Sequence, residues 1–85
     1  MDKQLNTQIE RQVVEYVLGI CNEQKLDFAL NLFEHGYLSS LDILDLVAFV
    51  EETFEIKISE DDLNMENLGT ISSMVRYIGE AMQQQ

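Results

Sequence analysis

Two adjacent hydroxyls, Ser39 and Ser40, stand directly before the run "LDILDLVAFVEETF", and their placement asks for a chemical account. A serine nucleophile of the hydrolase kind needs a base within hydrogen-bonding reach, a group that orients the base, and an oxyanion hole. The chain has one histidine, His35, and the serine context is Tyr-Leu-Ser-Ser-Leu rather than a G-x-S-x-G elbow. Hydrolysis is therefore rejected, and His35 reads as a solvated loop residue. The oxygen-rich "EDDLNMENLGTIS" fails as a calcium loop, because counting from Asp62 puts Asn67 and Ser73 where glycine and glutamate are required. One histidine and one cysteine, Cys21, do not make a zinc site. A serine pair at the mouth of a helix remains. Ser39 suits the N-cap, with Asp42 three positions on in the place of a capping-box acid. Ser40 is then presented in the first turn, where unpaired N–H groups and the helix dipole tolerate an anion such as a phosphate ester.

The elements that must position these serines are helical. From Leu5 the apolar residues recur as Leu5, Ile9, Val13, Tyr16, Val17 and Ile20, with Val14, Leu18 and Cys21 widening the stripe, which predicts a helix over about residues 4–22. The stretch "NEQKLDFALNLFEHGYL" breaks that period yet is too apolar for a free linker. It is expected to be a long packed loop, with Gly36 supplying a backbone turn. The second helix is expected to start at the serines, with Leu41, Leu44, Val47, Phe49, Val50 and Phe54 as its core face. "EIKIS" alternates like a strand but has no pairing partner and reads as a connection. Residues around Leu63 and Leu68 form a short helical turn or two. Thr70 is placed to cap a last helix whose buried face is Ile71, Met74, Val75, Ile78 and Met82, and the terminal glutamines are expected to fray. The predicted fold class is all-α: a small four-helix bundle, three main helices plus one short one, in a single domain over residues 1–85.

Composition narrows the function. Hydrophobic residues are 46% of the 85, enough for a core, and 16 acidic against 5 basic residues give a net charge of −11. Such a surface repels nucleic-acid phosphates and anionic lipid and attracts basic protein surfaces, so no nucleic-acid partner is expected. A lone Cys21 fits a reducing compartment and reads as a small apolar residue on a helix face. The first ten residues lack the apolar core of a signal peptide, and the longest apolar run, "LVAFV", is too short to span a bilayer. A cytoplasmic monomer without membrane insertion is expected.

The stretch "LFEHGYLSSLDILDLVAFVEETFEIKI" resembles the phosphopantetheine-attachment region of acyl and peptidyl carrier proteins. Their motif, an acidic residue followed by serine and then Leu or Met, opens the second helix of a four-helix bundle. The approach "LFEHGYL" is similar to that of stand-alone carriers, the D-alanyl carriers among them, and "ISEDDLNMENLGTISSMVRYI" resembles their third helix and the opening of the fourth. The resemblance covers about Leu5 to Ile78. It implies that the chain is no enzyme but a phosphoprotein carrier. A phosphopantetheinyl transferase would join 4'-phosphopantetheine from coenzyme A to Ser40, and acyl or aminoacyl groups would ride on the arm as thioesters. It further implies a loading enzyme and downstream transferases with basic docking patches, which would meet Leu41, Asp42, Leu44, Asp45, Ala48, Glu51 and Glu52. Stand-alone length and Ala48, where fatty-acid carriers commonly have a larger apolar residue, point to a specialised biosynthetic pathway. One departure matters: Ser39 stands where the family usually has Asp, which removes a carboxylate beside the attachment point and leaves Asp42 to compensate in part. The alternative reading is an acidic helical protein-interaction module that is never modified.

Overall fold

Ile9, Val13 and Val17 follow one another at four-residue spacing, and on the first helix, α1 (Lys3–Cys21), all three are sealed from solvent. A computed structural model describes residues 3–83, with side chains from residue 6 onward. The expected core side chain of Leu5 and the terminal Gln84 and Gln85 lie outside the described residues. α1 gives way to α2 (Asp42–Phe54) through a long loop, and α3 (Met65–Leu68) and α4 (Ile71–Gln83) complete the chain. A single 3-10 turn, Glu60–Asp62, precedes α3, and no strand occurs among the described residues. The architecture is the expected all-α bundle of three main helices and one short one.

α4 is the common packing partner, since α1, α2 and α3 all lie against it. Its buried face is Ile71, Met74 and Ile78, with Val75 and Met82 partly covered, as the periodicity predicts. Thr70 caps it reciprocally: Thr70 Oγ1 accepts the Ser73 N–H at 3.0 Å, and Ser73 Oγ accepts the Thr70 N–H at 3.2 Å. α1 and α2 are joined by a stacked pair, Tyr16 on Phe49, with ring centroids 4.1 Å apart. Among the described residues the buried core contains no polar side chain.

α2 keeps most of its expected core face: Val50 and Phe54 are buried, and Val47 and Phe49 are half-buried against the core. Leu41 and Leu44, also expected there, are 80% and 74% exposed, and Leu46 is buried in their stead. The helix ends at Glu55 in the left-handed conformation (φ 56°), which turns the chain so that Ile56 is buried. Residues 56–59 form the expected connection. It is fastened by Glu51, whose Oε2 accepts the Ile58 N–H at 2.8 Å. Glu51, expected to meet partners, is half-buried and structural in part.

Candidate functional site

Ser40 is positioned by a wound loop and a helix start. In the loop, Asn31 Oδ1 accepts the N–H groups of Phe33 and Glu34 at 3.0 and 2.9 Å, an Asx turn that begins the winding. Gly36 continues it at φ 78°, a value that an L side chain rarely adopts, so its turn role is as expected. The carbonyl of Leu32 then accepts from both Tyr37 (2.9 Å) and Leu38 (3.1 Å), which brings buried Leu38 under the bundle just before the serines. The loop is pinned to the far end of the chain, Leu32 donating to Gly69 O at 2.8 Å and Ser72 donating to Phe28 O at 3.0 Å. A Cβ on Gly69 would sit 2.5 Å from Met65 O, so a larger residue there would force the backbone to shift. From α1, Cys21 Sγ reaches the Tyr37 carbonyl at 3.3 Å.

At the serines the geometry differs from the expected cap. Regular helix begins at Asp42, Leu41 already has helical backbone angles, and no side chain accepts a capping bond there. The capping box runs in one direction only: Asp42 Oδ2 accepts the Ser39 N–H at 2.8 Å and the Ser39 hydroxyl at 3.1 Å. The Ser39 hydroxyl therefore donates to an acid instead of accepting from a backbone amide, a direction that residue spacing does not encode. Ser40 is exposed, and its hydroxyl has no hydrogen bond to any described residue.

The surroundings are anionic. Asp42 and Asp45 lie in the first turn of α2, where the helix dipole favours them. Burial pushes the Tyr16 phenol above its ordinary value, and Asp45 and Asp42 add to the rise. Burial likewise raises the Cys21 thiol, with Glu23 and Asp42 adding to it. A thiol held protonated is a poor nucleophile, in keeping with the reading of Cys21 as a packing residue. His35 is exposed, as expected.

Of the residues expected to meet partners, Leu41, Leu44, Asp45, Ala48 and Glu52 are exposed, and Asp42 and Glu51 are half-covered and hydrogen-bonded within the chain. Leu63, read from the sequence only as part of a short helical turn, and Met65 add exposed apolar surface further along the chain. Two organising residues also escaped sequence reading. Asn31 carries a short-range signal, an Asn two residues before the amide it accepts. Asp62 accepts the Tyr77 hydroxyl at 2.9 Å across fifteen residues and carries no such signal. Chemically, an exposed hydroxyl without a partner to surrender, at the positive end of a helix, suits a phosphodiester. The residues present fit that group.

A family model described as "Phosphopantetheine attachment site" matches residues 11–78. The chain is 38% identical over 72 residues to an acyl carrier protein of Zymomonas mobilis subsp. mobilis, covering 85% of this chain and 87% of that one. It is 32% identical over 68 residues to an acyl carrier protein of Buchnera aphidicola subsp. Schizaphis graminum, covering 80% and 82%. No helix among the described residues is long and apolar enough to cross a membrane.

Proposed function

Because the chain belongs to the phosphopantetheine-attachment family of acyl carrier proteins, whose members are carriers rather than catalysts and hold 4'-phosphopantetheine covalently, we propose that Ser40 is the attachment residue. The observation that carries this reading is the contrast between neighbours: the Ser39 hydroxyl is engaged by Asp42, and the Ser40 hydroxyl is exposed and unpartnered among the described residues. When bound, the group supplies a thiol on a long flexible arm, on which an acyl or aminoacyl group travels as a thioester. The chain's own residues present the hydroxyl, stabilise a new anion with the N-terminus of α2, and offer a docking face. Tethering raises the effective concentration of cargo at each partner's active site.

Leu41, Leu44, Asp45, Ala48 and Glu52 form the proposed docking face, with Asp42 and Glu51 beside it. Its exposed leucines would fill an apolar depression on a partner, and its acids would pair with a basic rim. The partners are a phosphopantetheinyl transferase, a loading enzyme and downstream transferases of a specialised pathway, met in the cytoplasm by a monomeric single carrier domain. Incubation with coenzyme A and a broad-range phosphopantetheinyl transferase tests the attachment. One phosphopantetheine mass increment is expected on the wild type and none on Ser40→Ala. An unmodified wild type would favour the acidic interaction module, a reading supported by Ser39 standing where the family usually has Asp.

A further inference from the structure

Two serine hydroxyls one residue apart present a transferase with two acceptors of the same intrinsic chemistry. Both Ser39 and Ser40 are exposed, so burial does not distinguish them. Hydrogen bonding does. One carboxylate oxygen, Asp42 Oδ2, takes the Ser39 amide hydrogen at 2.8 Å and the Ser39 hydroxyl hydrogen at 3.1 Å, fixing that residue at its backbone and at its side chain. No described residue holds the Ser40 hydroxyl.

We infer that Asp42 is the positioning residue that selects Ser40 over Ser39 as the acceptor, an inference that rests on attachment at Ser40. In the transfer, the serine oxygen forms a bond to the pantetheine-side phosphorus of the coenzyme A pyrophosphate. The bond from that phosphorus to the bridging oxygen breaks, adenosine bisphosphate leaves, and the hydroxyl proton passes to a base of the transferase or to water. Attack by Ser39 meets two obstacles. Its hydroxyl must first leave the carboxylate, and the anionic pyrophosphate must then come beside Asp42 Oδ2, a like charge within hydrogen-bond range of the attacking oxygen. Ser40 has no carboxylate hydrogen-bonded to its hydroxyl. Asp42 thus does more than start a helix: it withholds one of two hydroxyls.

The test is peptide-level mass mapping after incubation of the full chain with coenzyme A and a broad-range phosphopantetheinyl transferase. The wild type is expected to carry the adduct on Ser40, and Ser40→Ala to stay unmodified. Adding Asp42→Ala to Ser40→Ala is expected to bring up a Ser39 adduct at about ten times the detection background of Ser40→Ala or more, the scale on which removal of a close like charge acts. Asp42→Asn in the same background, which keeps an acceptor for the Ser39 amide and removes the charge, is expected to raise it as well, and it serves if the alanine variant loses its helical circular dichroism. A purely structural role for Asp42 would change the total adduct without moving it between serines. Ser39 unmodified in both double variants, with helix content intact, overturns the inference. Modification of Ser39 in Ser40→Ala with Asp42 present overturns it too, because Asp42 would then be assisting that hydroxyl. A wild type loaded on neither serine instead overturns attachment at Ser40, and the inference with it.

Discussion

Ser39 gives Asp42 two hydrogens, one from its backbone and one from its side chain, and only the second is lost when serine becomes alanine. A full N-cap is worth about 1 kcal/mol, but an exposed hydroxyl-to-carboxylate bond that water can replace contributes about 0.5 kcal/mol. Ser39→Ala is therefore expected to lower the urea-unfolding free energy by about 0.5 kcal/mol and, with attachment at Ser40 as proposed, to leave the adduct in place. Loss of the adduct would move the attachment to Ser39. Tyr77 makes a second prediction at this scale. Burial first, then its hydrogen bond to Asp62 and the charges of Asp62 and Glu51, push its phenol up to about 12. Tyr16 is raised in the same direction. A raised phenol means that the unfolded chain releases its proton first, so the stabilisation is complete below about pH 10 and is lost as the pH climbs towards about 12. Melting temperature is expected to fall across that interval, and less steeply in Tyr77→Phe. Equal slopes in the two proteins would remove Tyr77 from the account.

Two neighbouring acids on α2 separate structure from surface. Glu51 accepts the Ile58 amide and holds the connection that follows the helix, whereas Glu52 is exposed. Glu51→Lys is expected to cost about 1–2 kcal/mol, since it removes a charged acceptor from a partly buried amide. Glu52→Lys is expected to stay within about 0.5 kcal/mol of wild type. Urea midpoints of the two variants check this, and equal midpoints would deny Glu51 its fastening role. The difference was invisible in the sequence, as was the place of Leu46 in the core. On α1 and α4 a single apolar stripe runs against polar residues, so spacing alone named Val13, Val17, Met74 and Ile78 as buried. On α2, Val50 and Phe54 are buried as the spacing named them, but Leu44 leads to Val50 by two three-residue steps through Val47 just as Leu46 leads to it by one of four. Both approaches satisfy helical periodicity, and packing in the core chooses Leu46. The proposal of Ser40 as the attachment residue came from its motif, and its exposed hydroxyl is in keeping with it. The direction of the Ser39 hydrogen bond was not, because a hydroxyl both donates and accepts.

Over the whole molecule, charge opposes compaction. From Glu34 to Glu66 there are ten acidic residues against one lysine, Lys57. Self-repulsion at a net charge of −11 destabilises the folded state, and the Debye length shrinks to about 8 Å at physiological ionic strength. Melting temperature is expected to rise between low salt and about 0.15 M salt, a range in which screening changes most. A salt-independent midpoint would show that the acids are already neutralised within the fold. The loop that presents Ser40 has a consequence for the order of events in time. It is pinned by Gly69 O and by the Ser72 amide, residues made some thirty positions after the serine. As a chain leaves the ribosome at about 5–20 residues per second, Ser40 emerges seconds before the residues that fix its setting. A transferase that requires that setting would have no substrate in the nascent chain until Ser72 is free, and modification by it would report that synthesis has passed the start of α4.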